Sequence, residues 1–374
     1  MSSKDHKIKK IEIIPIKIEL NDPFVISAGA ISHAMNTVVI IHTAGGVFGT
    51  GECSRFRSIY AETQNGLVDA GKLIAKSLIG KNVTELRSCI RLMDKIFVGY
   101  CSVKSAFDMA IYDINAKLCD VPLYRFLGGD KDKEMHTDMT ISLLDKRVMV
   151  KKAKEYAKQG FPALKIKLGD RPASKDIERI AAIRKAVGDK MPLRVDANQG
   201  WNYYEATKAL QGMNEYNVEH CEAPIPAQNF IDLRKLNVES PIPIMGDESV
   251  YNHHDAYRML AEDCMMQINI KLGKSGGICH AMKIAAIAQA AGVYCQVGCF
   301  SETRLAITAL AHFTMAWDNI VYFDMDSPLM QSIDPVKGGL KYSKDWQVTV
   351  TDKPGHGAEF DKRFLNKFKK VTVS

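Results

Sequence analysis

The chain opens with alternating apolar and polar positions. Every second residue from Ile14 to Leu20 is apolar, which predicts a strand with one buried face. The run from Thr37 to Thr43 is predicted to pair with Val47 to Gly51 across a glycine-containing turn. Apolar residues then recur at helical spacing between Val103 and Leu118. Residues 1–130 therefore predict an α+β domain.

Short β-rich runs alternate with helical stretches over residues 131–337, a pattern typical of parallel βα units. Eight strands are predicted, at Met135 to Leu143, Ala163 to Leu168, Leu193 to Asp196, Val218 to Cys221, Pro243 to Gly246, Met266 to Lys271, Tyr294 to Val297 and Val321 to Asp324. Residues 338–374 contain a further β-like run, Gln347 to Thr351. A closed barrel has no edge to accept this run, so the segment is predicted to return to the first domain.

Composition indicates an ordinary globular protein. The 374 residues, 46% of them hydrophobic, can fill two domains or one large barrel with additions. The net charge of +7 is concentrated near both ends, where lysines are usually solvated, which argues against a nucleic-acid partner. The nine cysteines include no CxxC pair and predict reduced thiols. Without a signal peptide or a long apolar run, a cytoplasmic protein with no membrane partner is expected.

Charged residues close successive predicted strands at near-even intervals. They are, in order, Lys167, Asp196, Glu222, Asp247 and Lys271, separated by 29, 26, 25 and 24 residues. Each interval is about one strand-loop-helix-loop unit, so each step advances one strand around a β/α barrel. Catalytic residues of such barrels lie at the carboxyl ends of the strands, and Lys165 shares a strand face with Lys167. Six functional groups are therefore predicted at one rim.

The three acids predict a divalent cation. Convergent carboxylates at Asp196, Glu222 and Asp247 would repel one another without a positive charge between them. Hard oxygen ligands completed by water suit Mg²⁺. A magnesium site is therefore expected.

The two outer lysines predict the reaction. Lys167 and Lys271 are four strands apart, which is halfway round an eight-stranded barrel. Two bases on opposite faces of one carbon can remove a proton from one side and return it on the other, as a racemase or epimerase does. Neighbouring positive charge is expected to lower a lysine pKa towards the working range.

These residues resemble the muconate-lactonizing subgroup of the enolase superfamily. The matching features are Lys165-x-Lys167, the three acids, Asn198 in Asp-Ala-Asn-Gln-Gly-Trp, and Lys271 in Asn-Ile-Lys-Leu-Gly-Lys-Ser-Gly-Gly. The resemblance covers nearly the whole chain. It implies an α/β fold, a modified (β/α)8 TIM barrel of the (β/α)7β type with an α+β capping domain, and Mg²⁺ as cofactor.

Within this subgroup, Asp324-Met325-Asp326 resembles the Asp-x-Asp motif of dipeptide epimerases, whose acids hold the free amino group of the substrate. Thr140 resembles a substrate-contacting threonine of that family, and Asn198 is expected beside it. By the same resemblance Lys167 serves the (R) epimer and Lys271 the (S). Lys165 is expected to stabilise the enediolate together with the metal.

The second residue of the substrate is harder to predict. Ala-Glu epimerases of this family carry an arginine in the N-terminal loop, whereas the matching stretch here, Pro23 to Gly29, offers glycine. Arg55 and Arg57 are predicted to supply the missing positive charge. Cys299 and Ser301, in the last barrel loops, are further predicted substrate contacts.

Together these features predict a Mg²⁺-dependent dipeptide epimerase that acts by 1,1-proton transfer at the α-carbon of the C-terminal residue, with L-Ala-D/L-Glu as preferred substrate. N-succinylamino acid racemisation, cycloisomerisation and o-succinylbenzoate synthesis are alternatives, but their substrates have no ammonium group for two acids. A catalytically inactive metabolite-binding protein is a further alternative, although it would be free to lose a base or a ligand. A homo-oligomer is expected.

Overall fold

The computed structural model describes residues 5–55 and 62–374. Its N-terminal capping domain is built on an antiparallel sheet of β1 (Ile8–Ile26), β2 (Gly29–Thr43) and β3 (Phe48–Ser54). The predicted hairpin is confirmed, with His42 paired to Phe48. The first strand is longer than predicted, because its pairing with β2 extends from Ile8 to Ile26, with irregular register between Ile8 and Lys10 and between Glu19 and Phe24.

Among the described residues of the capping domain, four helices follow the sheet. They are α1 (Gln64–Leu78), α2 (Leu86–Ile96), α3 (Cys101–Leu118) and the short α4 (Leu123–Phe126). The sheet approaches α3 very closely because glycine occupies the contact: a Cβ added to Gly51 would lie 1.9 Å from the carbonyl oxygen of Ala106. A larger residue at position 51 would therefore force strand and helix apart.

Eight parallel strands form the barrel, in the spatial order of the sequence. They are β4 (Met139–Ile141), β5 (Leu164–Lys167), β6 (Leu193–Asp196), β7 (Val218–Glu222), β8 (Ile244–Gly246), β9 (Gln267–Ile270), β10 (Tyr294–Val297) and β11 (Ile320–Phe323). The last strand meets the first where the Asp138 amide donates to the Phe323 carbonyl, 3.0 Å away. The predicted barrel is confirmed.

Helices connect the strands on the outside of the barrel. They are α5 (Lys146–Lys158), α6 (Ser174–Val187), α7 (Tyr203–Met213), α8 (Phe230–Glu239), α9 (His253–Ala261), the short α10 (Leu272–Ser275), α11 (Ile278–Ala290) and α12 (Arg304–Thr314). A 3₁₀ turn, Ser327–Met330, follows β11. This agrees with the (β/α)7β type. Within residues 5–55 and 62–374, no helix is long and apolar enough to cross a membrane.

The first barrel strand is shorter than predicted. The sequence pattern runs from Met135 to Leu143, whereas β4 covers only Met139–Ile141. The preceding residues pair with the C-terminal segment instead, since the Met135 carbonyl accepts from the Val348 amide at 2.7 Å and the Thr137 amide donates to the Trp346 carbonyl at 3.1 Å. The ends of the other seven predicted barrel strands lie within one residue of the observed ends.

The C-terminal segment makes two small antiparallel pairs before it reaches the capping domain. These are β12 (Val336–Gly338) with β15 (Ala358–Phe360), and β13 (Lys341–Tyr342) with β14 (Val348–Thr349). After the short α13 (Lys362–Leu365), the last strand, β16 (Val371–Val373), pairs with β1. The run predicted at Gln347 to Thr351 therefore belongs to a local hairpin, and it is β16 that joins the sheet.

A buried carboxyl joins the capping domain to the barrel. Glu52 accepts hydrogen bonds from the Thr303 amide and hydroxyl, at 2.9 and 2.6 Å, from the Ala306 amide at 3.3 Å and from the Asn36 side chain at 2.7 Å. Two of these donors belong to the first turn of α12, where a negative charge is favoured. Burial nevertheless dominates and raises the pKa of Glu52 to about 7.

This carboxyl should make stability depend on pH. A folded-state pKa above the ordinary value of 4.5 means that the folded chain holds the proton more tightly, so the free energy of unfolding falls as pH rises from about 4.5 to about 7. The contribution is at most about 3 kcal/mol. Urea unfolding at a series of pH values should show a flatter profile for Glu52→Gln than for the native chain.

Glu85→Gln, at an exposed residue of the same domain, is the matched control and should follow the native profile. Parallel profiles for Glu52→Gln and the native chain would contradict the assignment.

Candidate active site

The carboxyl ends of the strands bring the six predicted groups to one mouth of the barrel. Strand alternation points both Lys165 and Lys167 inward, and they are 1% and 6% exposed. Pairing between neighbouring strands sets Lys167 opposite Asp196 and Asp196 opposite Glu222. All three acids are buried. The spacing in the sequence therefore reflects convergence in space.

Each acid faces a lysine. Lys165 Nζ lies 2.7 Å from Glu222 Oε2, Lys167 Nζ lies 2.6 Å from Asp196 Oδ2, and Lys271 Nζ lies 2.7 Å from Asp247 Oδ2. Ammonium groups thus supply part of the positive charge that three convergent carboxylates require.

A fourth lysine belongs to this cluster although the sequence did not identify it. Lys274 is fully buried, and its Nζ donates to Asp247 Oδ1, to the Asp247 carbonyl and to the Asn269 carbonyl, each at 2.7 Å. The sequence feature that could have identified Lys274 is its position only three residues after Lys271.

One cavity lies between the two outer lysines. Lys167 and Lys271 both line it, together with Thr140, Asn198, Asp247, Cys299, Asp324 and Asp326. The cavity is small, about 20 Å³. The two lysines that the spacing placed on opposite strands thus face a common space.

Aromatic rings accompany both outer lysines. Lys167 Nζ lies 5.7 Å from the ring centre of Phe24, and Lys271 Nζ lies 4.5 Å from that of Phe300. These separations are within the range of cation–π attraction. Gly298 leaves room for Lys271, since an added Cβ there would lie 2.9 Å from Lys271 Cε.

The pKa of Lys271 is shifted in the direction opposite to the one predicted from the sequence. Burial disfavours its ammonium form, but the carboxylates of Asp247 and Glu222 outweigh burial and hold the pKa of Lys271 above its ordinary value. The predicted lowering by neighbouring positive charge is therefore wrong for this arrangement. The positive charge of Lys165 does lower the pKa of Lys271, as predicted, but the acids raise it by more.

Asp324 and Asp326 form a buried pair of unequal acids. Asp324 Oδ2 accepts from Lys165 at 2.8 Å, which outweighs burial and lowers the pKa of Asp324. Asp326 Oδ2 accepts from the Thr140 amide at 2.7 Å, yet burial and the charge of Asp324 raise its pKa to about 7. The Cys299 thiol lies 3.6 Å from one oxygen of each acid. The pair can therefore accept one cationic group.

Two groups of side chains could hold a metal ion. Cys299, Asp324 and Asp326 offer ligand atoms within 4.8 Å of one another, but one of these ligands is a soft thiol. Asp196, Glu222 and Asp247 offer hard oxygens alone, which suit Mg²⁺ better.

Surplus acceptors beside the three acids support this choice. Asn198 Oδ1 and Glu248 Oε2 are buried and have no hydrogen-bond donor among the described residues. Burial and the charges of Asp247 and Asp196 raise the pKa of Glu248 to about 8. Such a concentration of oxygen atoms and negative charge fits a hydrated divalent cation.

The remaining predicted contacts are more distant. Ser301 is buried, and its carbonyl accepts from Asn36 and Gln331. Arg55 follows β3 and does not line the cavity, although its Nε is buried without a hydrogen-bond partner in the described part of the chain. Arg57 lies outside the described residues.

A second polar layer lies beneath the acids, and the sequence reading missed it. Arg194 donates to Asp138 at 2.9 Å, and Asn269 and Gln296 donate to Glu222 at 2.8 and 3.0 Å. The signal was present, because Asp138, Arg194 and Asn269 precede Thr140, Asp196 and Lys271 by two residues and so share their strand face.

Comparison with known proteins agrees with this geometry. Residues 9–128 match the mandelate racemase / muconate lactonizing enzyme N-terminal domain, and residues 148–364 match the enolase C-terminal domain-like family. The D-Ala-D/L-Ala epimerase of Cytophaga hutchinsonii is 40% identical over 98% of this chain and 100% of its own. The L-Ala-D/L-Glu epimerase of Bacillus subtilis is 38% identical over 94% and 96%.

Solved structures give the same result. A dipeptide epimerase from Cytophaga hutchinsonii, complexed with Mg and D-Ala-L-Val, superposes with a TM-score of 0.97 over 98% of this chain and 100% of that one, at 40% identity. The predicted isomerase class is confirmed by relatives that are epimerases and racemases. The chain thus belongs to the mandelate racemase / muconate lactonizing enzyme family of the enolase superfamily.

Proposed function

We propose that this protein is a dipeptide epimerase. The observation that carries the proposal is the single cavity lined by two lysines from opposite strands and by the buried pair Asp324 and Asp326. The lysines provide an acid and a base for one carbon, and the acids provide a site for an ammonium group. Relatives with these activities at 38–40% identity support it.

Asp196, Glu222 and Asp247 would hold Mg²⁺, which when bound supplies positive charge for the substrate carboxylate and for the enediolate. Lys165 would add its own charge to the enediolate from below. Its contacts with Glu222 and Asp324, at 2.7 and 2.8 Å, hold its ammonium group among the acids of the barrel mouth.

Lys167 and Lys271 would exchange the proton. One lysine, in its neutral form, takes the α-proton and leaves the electron pair on the substrate; the other, as ammonium, returns a proton to the opposite face. We assign Lys167 to the (R) epimer and Lys271 to the (S). Ligation of a metal ion by Asp247 and Glu222 would offset the carboxylate charge that raises the pKa of Lys271, and so would favour release of its proton.

Asp324 and Asp326 would hold the amino terminus of the dipeptide, with Thr140 and Asn198 beside it and Cys299 between the acids. This arrangement favours a dipeptide over substrates of N-succinylamino acid racemases, cycloisomerases or o-succinylbenzoate synthases, which present no free α-ammonium group. A catalytically inactive binding protein has no use for two buried bases and three buried acids.

L-Ala-D/L-Glu remains our proposed substrate from the sequence, with Arg55 or Arg57 as the partner of the glutamate side chain and Ser301 near it. The Nε of Arg55 is buried and has no hydrogen-bond partner within residues 5–55 and 62–374, which supports a role in binding an acceptor. A cytoplasmic location and a homo-oligomeric state also remain predictions.

The two-base assignment predicts a split between epimers. Lys167→Ala and Lys271→Ala should each abolish epimerisation, but each should retain α-proton exchange from the epimer that faces the surviving lysine. Incubation of each epimer in D₂O, followed by mass spectrometry, measures this exchange. Lys151→Ala, at an exposed lysine of α5, is the control. Equal loss from both epimers in both variants would refute the assignment.

The metal assignment predicts that chelation eliminates turnover and that Asp247→Asn weakens Mg²⁺ binding. Loss of one ligand charge weakens attraction to the cation and leaves Lys271 and Lys274 without their partner. Calorimetric titration with Mg²⁺ measures the binding directly, with Asp69→Asn at an exposed acid as control. Full activity in excess chelator is the contrary result.

The arginine assignment predicts a change in substrate ratio. A charge-assisted contact contributes about 1.5 to 3 kcal/mol, so Arg55→Ala or Arg57→Ala should lower kcat/KM for Ala-Glu by about ten- to a hundredfold relative to Ala-Ala. Arg258→Ala, at an exposed arginine, is the matched control. An unchanged ratio in both variants would move the substrate away from Ala-Glu.

A further inference from the structure

A second, larger cavity adjoins the active site. It has a volume of about 270 Å³ and shares Phe24, Thr140 and Met330 with the cavity between the lysines. This is roughly twenty times the space that one water molecule needs. None of the roles proposed above uses it.

Its outer wall is a fixed aromatic surface. Trp346 stacks on Phe161 with ring centres 3.9 Å apart and planes 10° apart, and its Nε1 donates to the Gln159 carbonyl at 2.9 Å. Tyr156 packs edge-on against Phe161. Trp346 has a φ of +63°, which is strained for a bulky residue and is tolerated where the surroundings hold it.

The charges at this cavity cancel. Among the described residues that line it, the charged ones are Lys152 and Asp22, and they pair with each other at 2.7 Å. This pair leaves no net charge at the cavity to attract a charged guest, whereas a neutral apolar guest would cover the aromatic wall. The cavity therefore suits a large uncharged side chain.

The position of the cavity identifies which part of the substrate reaches it. The Thr140 amide binds Asp326, one of the two acids proposed for the ammonium group, and Thr140 lines both cavities. The α-carbon that carries the ammonium group also carries the side chain of the amino-terminal residue. That side chain thus starts beside Thr140, at the entrance of the larger cavity.

We propose that this cavity binds the side chain of the substrate's amino-terminal residue and selects dipeptides in which that residue is large and apolar. The inference rests on the proposed dipeptide epimerase function and deepens it. It replaces the amino-terminal alanine of the substrate predicted from the sequence with a larger apolar residue, and it leaves the C-terminal residue, glutamate in that prediction, open.

Deuterium uptake at the C-terminal α-carbon in D₂O tests the proposal with the native holoenzyme in Mg²⁺. We expect kcat/KM for L-Phe-L-Ala to exceed that for L-Ala-L-Ala by at least about tenfold, the ratio that about 1.4 kcal/mol gives. The inverted dipeptide, L-Ala-L-Phe, should show no comparable gain through this cavity.

Ser142→Phe places a ring in the cavity and should reduce the L-Phe-L-Ala to L-Ala-L-Ala ratio about tenfold. Ser88→Phe makes the same change at an exposed serine of the capping domain and should leave the ratio unaltered. Measurements on the native enzyme decide the question even if Ser142→Phe does not fold.

Exchange from L-Ala-L-Ala with no gain for L-Phe-L-Ala would overturn this inference alone. A gain for L-Ala-L-Phe that Ser142→Phe removes would also overturn it, because the cavity would then hold the C-terminal side chain. No exchange from any dipeptide would instead overturn the proposed function, and this inference with it.

Discussion

The burial of many charges at one end of the barrel is the constraint on which the rest of this structure depends. Lys165, Lys167, Lys271 and Lys274 are all less than 10% exposed, and so are the acids that they contact. An isolated buried ion costs several kcal/mol, and removal of one partner from a buried pair costs about 3 to 5 kcal/mol. Each charge is therefore tolerated only because strand alternation places an opposite charge within reach.

Such a cluster contributes little net stability, so its cost must be offset elsewhere. The outer faces of the same strands carry apolar residues such as Ile166, Val195 and Ile268, all 0% exposed, which pack against the surrounding helices. The outward face of each strand thus stabilises the fold by apolar packing, and the inward face carries the charged residues proposed for catalysis.

The spacing of charged residues was sufficient to predict the barrel and its charged mouth, because a strand-helix unit has a nearly constant length. Features that depend on contacts distant in sequence were not predictable in this way. The alternation at Met135 to Thr137 indicated barrel strand, but those residues pair with the segment around Trp346 and Val348, more than 200 residues away. Lys274 similarly looks like a loop residue until Asp247 and Asn269 are brought to it.

Electrostatics set a further limit on what the sequence could predict. The sign of the pKa shift at Lys271 depends on whether acids or lysines lie nearer, and only coordinates give those distances. Asp324 and Asp326 are identical side chains two residues apart, yet one is stabilised as an anion by Lys165 while the other is raised to a pKa of about 7. The Asp-x-Asp motif identifies both acids, but their different surroundings shift their pKa values in opposite directions.

The residues proposed for catalysis and the residues that shape the substrate cavities come from different parts of the fold. The lysines and acids proposed for proton transfer and metal binding lie on or directly after barrel strands. Pairing between neighbouring strands therefore fixes their positions relative to one another. Phe24, which faces Lys167, comes from β1 of the capping domain, whereas Met330 follows the last barrel strand and Trp346 belongs to the C-terminal segment. Elements from three parts of the chain therefore shape the space beside a common reaction centre. A change in any one of them can alter which side chains fit while the paired charges beneath remain as they are.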